Sequence, residues 1–428
     1  MRQYRTLLGY EMKKICCRRS TWITIAVLVL AFLVSVTLTW NMSYTHILQA
    51  QEDDGTGQEE NEGWYDTYAQ RKARERKNGI YWSGRKIDDA LLMDIFKGYE
   101  DTKDKIGTVG NIKDIEHFTK ELERFELLES TLDAIAGTEG ILPQSYYMQE
   151  SGRLTEEKLY QRRDAVVEEH QASYKLTKDE CSYWQQKEKS LTKPFTYQYA
   201  DGFYQMISMN GVYMVALFSS FLLAVVVSRI FAEEHQRRLD QIILCSRFGR
   251  EKLYFVKIVA GSLFAFFATS IMAGVVMAVT FICYGTEGFS AVIQLIAGWY
   301  SYPLTVGQIL LIMLGICVIS ALLTSIFIMV VSEKFRSSMA GMVIAVLTVG
   351  AARIIVIPRE FRLLSQVWNF FPMNLLKIDQ GFLDVRLVSV FGVKMTIWQF
   401  APILYLILGI ILVLLGKRCY SRYQVQGR

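Results

Sequence analysis

The sequence predicts an all-α integral membrane protein, with six transmembrane helices and a helical extracellular domain between the first and the second. Three observations carry this reading: six apolar runs near bilayer length, Lys and Arg gathered in alternate loops, and one long interval of different composition. Of the 428 residues, 51% are hydrophobic and 21% charged, and this average mixes two unlike regions. Residues 41–205 hold 32 acidic and 22 basic side chains, a local net charge of −10, while the remainder carries +15. The positive charge borders apolar runs, where anionic lipid attracts it, so membrane lipids are expected partners and nucleic acid is not.

A membrane helix needs about 20 apolar residues, because it rises about 1.5 Å per residue through a core of about 30 Å. Six runs meet or approach that length: Thr21–Trp40, Met209–Phe231, Ile258–Tyr284, Val306–Ser332, Ser338–Ile357 and Thr396–Gly416. Arg353 interrupts the fifth, and counts of five or seven stay open because residues 288–332 carry no charge. The front of that stretch, with Trp299, Tyr300, Tyr302 and Pro303, reads as an aromatic interfacial segment. The first run follows a basic stretch, but its length and the lack of a small-residue cleavage site predict a retained anchor.

Orientation follows from the loops. Arg2, Arg5, Lys13, Lys14, Arg18 and Arg19 precede the first run. Arg229, Arg237, Arg238, Arg247, Arg250, Lys252 and Lys257 cluster after the second, Lys334 and Arg336 after the fourth, and Lys417, Arg418, Arg422 and Arg428 after the sixth. The interval 285–305 has Glu287 and no Lys or Arg. The positive-inside bias predicts a plasma-membrane protein with both termini cytoplasmic and residues 41–205 outside.

That insert is long enough to be a domain. Ile112, Ile115, Phe118, Leu122, Phe125, Leu128, Leu132 and Ile135 recur at helical spacing, which puts them on one stripe. A second helix is predicted from Leu154 to about Lys189, giving a coiled-coil-like antiparallel hairpin. The stripe serves either as internal packing of a stalk or as a groove for a partner helix. Residues 51–63, acidic and rich in Gly, Glu and Gln, are expected to lack fixed structure.

No catalytic constellation emerges: there is no G-x-x-x-x-G-K-[ST] loop, H-E-x-x-H helix or G-x-S-x-G elbow. His46, His117, His170 and His235 fall in different regions, no CxxC or Cys/His pairing points to a metal, and Cys181 is the single cysteine of the insert. Neither a catalytic residue nor a cofactor held by this chain is expected.

The most informative segment lies between the second and third runs. Glu233 and Glu234 open a short helix, as acidic residues do in a first turn. Leu239, Ile242 and Ile243 give it a small apolar face, and Ser246-Arg247-Phe248-Gly249-Arg250 ends it. An ordinary interfacial helix on lipid headgroups has the same pattern. Acid-acid, a short apolar run, S-R-F-G-R and Lys257 in this order resemble the loop between the second and third spans of permease subunits in type 2 ATP-binding-cassette (ABC) exporters. The segment 7–20 resembles that family's amphipathic connecting helix, and Trp368-Asn369-Phe370-Phe371-Pro372-Met373-Asn374 its re-entrant external helices. The ending Y-S-R-Y-Q-V-Q resembles the tails of Gram-positive members. The resemblance covers roughly 260 residues, all outside the insert.

The resemblance implies a non-enzymatic permease subunit that dimerises, as a homo- or heterodimer, and moves a peptide of antimicrobial type, a lipid or another amphiphile outward. ATP and Mg would sit on a separate ABC ATPase subunit. Glu233, Glu234, Arg237, Arg238, Leu239, Ile242, Ile243, Arg247 and Arg250 become the candidates for coupling to it. A mechanotransmission or sensing module, whose stalk acts on an external partner without transport, is the alternative, and a continuous helical stalk joined to the first two spans would favour it. Gly341, Ala340 and Ala345, with Gly261, Ser262 and Ala265, suit close helix packing within or between chains. Arg353 either snorkels to headgroups or meets an anionic substrate or lipid. The resulting division is a connecting helix (1–20), first span (21–40), insert (41–205), second span with coupling helix (206–257), third to fifth spans (258–357), re-entrant-like helices (358–395), and sixth span with tail (396–428).

Overall fold

The computed structural model describes residues 2–47, 63–108, 112–137, 154–236 and 252–421. Helices dominate. In chain order they are α1 (Arg2–Cys16), α2 (Arg19–Trp40), α3 (Tyr68–Trp82), α4 (Asp89–Thr108), α5 (Ile112–Ala136), α6 (Glu156–Ser173), α7 (Lys178–Glu188) and α8 (Asp201–Ile207). There follow α9 (Val212–Val227), α10 (Arg229–Gln236), α11 (Lys252–Tyr284), α12 (Val306–Phe335), α13 (Ser338–Ile354), α14 (Arg362–Asn369), α15 (Pro372–Leu375) and α16 (Ile397–Ser421). Two antiparallel hairpins complete it, β1 (Ser43–Ile47) with β2 (Gly63–Thr67), and β3 (Val388–Val390) with β4 (Val393–Met395).

Among the described residues, five helices are long and apolar enough to cross a membrane: α2, the nearly continuous α9 and α10 (Val212–Glu234), α11, α12 and α16. The protein is therefore membrane-embedded in character. The fifth predicted run becomes a shorter apolar helix. It stops at Ile354 rather than Ile357, because Pro358 in a continued helix would clash with the carbonyl of residue 354. Its 17 residues rise about 25 Å, just short of a hydrocarbon core of about 30 Å.

Two compact units divide the chain: Met1–Phe32 with Gln205–Thr280 and Leu310–Arg428, and Leu33–Tyr204 with Phe281–Ile309. The first, the span unit, has a core in which Ile15 of α1 joins Leu223 and Val227 of α9, Tyr254 and Ile258 of α11, and Tyr420 of α16. The rings of Phe231, Tyr254 and Tyr420 meet at 5.5–5.9 Å. The small residues pack within the chain. A side chain at Gly261 would collide with Met329, Gly341 lies against Ser228 and Ser332, and Ser325 donates to the Gly261 carbonyl at 3.2 Å.

In the insert unit, threonine N-caps start α3, α6 and α7; Thr67 with Gln70 and Thr177 with Glu180 form capping boxes. The second predicted helix is two helices, broken at Tyr174 and at Lys175, whose φ is +50°. The coiled-coil-like hairpin is corrected accordingly: α5 sits among α3, α4, α6 and the turn Ile293–Leu295 in a compact helical unit. Phe125, Leu128, Leu132 and Ile135 are buried and Leu122 is half-buried, while the side chains of Ile112, Ile115 and Phe118 lie outside the described ones. Residues 51–62, expected to lack structure, also lie outside the described residues. From Leu122 to Ile135 the stripe is thus core packing rather than an open groove.

The segment read as an aromatic interface belongs to this core. Ile293, Leu295 and Tyr300 are buried, Trp184 packs on Tyr300 at 5.5 Å, and any side chain at Gly298 would strike the Ala134 carbonyl and Ile135 backbone. Uncharged aromatic composition is common to membrane interfaces and protein cores, so sequence alone does not separate them.

Arg163 is fully buried and grips Glu188 by two hydrogen bonds, at 2.5 and 3.1 Å. Burial alone would raise the Glu188 carboxyl, but the Arg163 guanidinium, with Lys193 and Ser301, brings it down to about 2. A depressed carboxyl stabilises the fold fully above its ordinary value and loses that contribution as pH falls toward about 2. Glu188→Gln is expected to cost about 2–3 kcal/mol at neutral pH, with the deficit against wild type shrinking below about pH 4. Unfolding followed by Trp184 fluorescence at several pH values checks this; a deficit independent of pH would refute it.

Candidate functional site

The site is a charged knot where α1, α10 and the foot of α11 meet in the span unit. α1 is amphipathic, and Ile15, Met12 and Leu8 turn toward the apolar core. That seating brings Lys14 and Arg18 to the second half of α10; Glu233 and Glu234, expected to open a helix, instead lie near the end of one that starts at Arg229. Lys14 pairs with Glu234 at 3.0 Å, Arg18 pairs with Glu233, and Arg229 donates to Ser20 at 3.2 Å. Lys257, one turn into α11, is the fourth cation. It pairs with Glu234, donates to the Ile230 carbonyl at 3.3 Å and lies 5.0 Å from the Phe231 ring.

Glu234 is 7% exposed and the Lys257 side chain 0%. Desolvating two such charges is costly unless each finds its partner, and here Glu234 bridges two cations. The two carboxylates singled out by sequence are therefore engaged inside the chain. Their chemistry is that of a clamp, which ties the end of α10 to α1 and to α11. Arg237, Arg238, Leu239, Ile242, Ile243, Arg247 and Arg250 lie outside the described residues. From sequence, Lys14 and Arg18 register only as inside-facing charge, and no helical spacing links them because Arg18 lies in the break between α1 and α2.

At the other end of α13, Arg353 is exposed, with its guanidinium 4.0 Å from the Met209 sulfur. Nearby, Lys377 is buried and donates to the Ala352 carbonyl at 2.9 Å. The predicted re-entrant-like stretch forms α14, α15, a π turn at Ile378–Phe382 and the β3–β4 hairpin. Its staple is Arg386, which binds Asp384 at 2.6–3.1 Å, the Arg362 carbonyl at 2.9 Å and Ser365 at 2.6 Å. Asn369 donates to Asp384 at 2.9 Å. Nothing in the sequence pattern marks this pair.

Comparison with protein-family models, with curated proteins and with solved structures finds no match. The site is read from its own geometry.

Proposed function

We propose that this chain is the permease subunit of an ATP-driven ABC exporter, working in the plasma membrane with a separate ATPase subunit and a second permease copy or relative. Six spans, with α13 as the short fifth, leave both termini cytoplasmic and the insert unit outside, in keeping with the basic loops. The observation that carries the reading is the knot itself. A push on the segment after α10 reaches both α1 and α11 through Glu234, which pairs with Lys14 and with Lys257, so force delivered there moves two helices together. A sensing stalk would be favoured by a helix continuing outward from the first span; α2 instead ends at Trp40 and the chain enters β1.

The test is reconstitution with the ATPase subunit in nanodiscs. Wild type is expected to stimulate ATP hydrolysis, and Leu239→Asp to reduce that stimulation about tenfold, the loss of one apolar anchor at a docking surface. Unchanged stimulation by the variant would remove the coupling role of this segment.

A further inference from the structure

The span unit contains a cavity of about 510 Å³. α9, α12, α13, α14, α15 and α16 all contribute to its wall, through residues such as Ala216, Ala321, Val349, Trp368, Met373 and Leu408. Its size lies within the range of small-ligand sites. Its wall is almost wholly hydrocarbon. The few polar groups are isolated hydroxyls such as Ser220 and Thr348, and the Tyr405 hydroxyl is already committed to the Phe370 carbonyl at 2.8 Å. A peptide placed there would bury amide groups without partners, at a cost for each group. An occupant must therefore be nearly pure hydrocarbon along its length.

Next to this apolar wall the charge is positive. Arg353 follows Val349 by four residues and so lies on the same face of α13, one turn beyond the cavity. Lys377 follows the lining residue Leu376 directly. Burial, and then the charge of Arg353, push the Lys377 ammonium below its ordinary value. An anion beside the two cations would relieve that repulsion, and a guanidinium donates two parallel hydrogen bonds to a carboxylate.

We propose that the cavity is a binding site for a long-chain fatty acid, with the acyl chain within the apolar wall and the carboxylate at Arg353 and Lys377. A single chain suits a space of small-ligand size, whereas a two-chain lipid would exceed it. The inference stands on binding alone and does not require that the protein transports its occupant.

Trp368 lines the cavity, its indole N–H donating to the Ile355 carbonyl at 3.1 Å, and so serves as the reporter. The full chain in maltoside micelles is titrated with palmitate brominated near its methyl end, with the methyl ester of the same acid, and with brominated phosphatidylglycerol. Saturable quenching by the acid is expected, absent in Trp368→Phe and about tenfold weaker for the methyl ester and for Arg353→Glu. Arg353→Lys should retain it. Ser220→Phe, which fills the cavity, should abolish it with an unchanged melting temperature; if that variant fails to fold, the exposed Arg353 variants decide. Quenching that is unsaturable, or equal for acid and ester, overturns the proposal. Stronger quenching by phosphatidylglycerol reassigns the site to a two-chain lipid and also overturns it. A disulfide between copies of Thr348→Cys that forms under copper–phenanthroline oxidation equally well with palmitate present would show a second copy in the cavity, and the fatty-acid site would fall with it.

Discussion

Arg386→Met is expected to lower the stability of the span unit by about 3–5 kcal/mol, the cost of leaving a buried charge without its partner. Asp384 is 0% exposed and Arg386 1%, so water cannot replace the lost contacts. The same guanidinium also holds the Arg362 carbonyl and Ser365, so its loss frees α14 from the segment that precedes β3. Denaturant unfolding in detergent measures the total, and proteolysis at Arg362 or Lys377 shows whether this region opens first. The double variant Asp384→Leu/Arg386→Met should recover most of the loss, since paired charges exchanged for apolar groups are often neutral. A single-variant loss below about 1 kcal/mol would mean that solvent reaches the pair.

Glu234→Gln is the second large effect, again about 3–5 kcal/mol, because the fully buried Lys257 ammonium loses its carboxylate. Here the consequence is functional as well. With the clamp open, α1 and α11 no longer share a fixed point with α10, and under the proposed permease function hydrolysis by the ATPase subunit should continue without transport. Glu234→Leu/Lys257→Met separates the two roles: it should restore stability, as Lys14 is partly exposed and keeps its water, while transport stays impaired. Recovery of both together would reduce the knot to a purely structural feature.

The spans are legible in the sequence because apolar length is additive along the chain: α2, α12 and α16 fall within a few residues of the predicted runs. The starts of α6 and α7 are equally readable, since Thr155 and Thr177 act locally. What escapes is pairing at a distance. Glu233 and Glu234 stand out in the sequence, but nothing periodic links them to Lys14, Arg18 and Lys257, and so they read as a docking face rather than a clamp. Asp384 and Arg386 stand two apart in an irregular segment, where no helical or strand spacing marks them. The front of the uncharged stretch 288–332 reads as a membrane interface because Trp299 and Tyr300 look alike in either setting; only the fit of Gly298 against α5 distinguishes them.

α2 has Thr21 and Phe32 as its buried residues, and most of its remaining side chains are exposed. Acyl chains solvate Leu, Val and Ile almost equally well, so along the lipid-facing part of this helix the order of residues carries little information. Substitutions that exchange one aliphatic side chain for another there are invisible to selection on folding. What descent must preserve is a length, the tether through Ile15 at one end and the Trp40 ring against Tyr68 and Tyr284 at the other. Relatives of this chain could thus diverge beyond recognition in α2 while keeping the same machine.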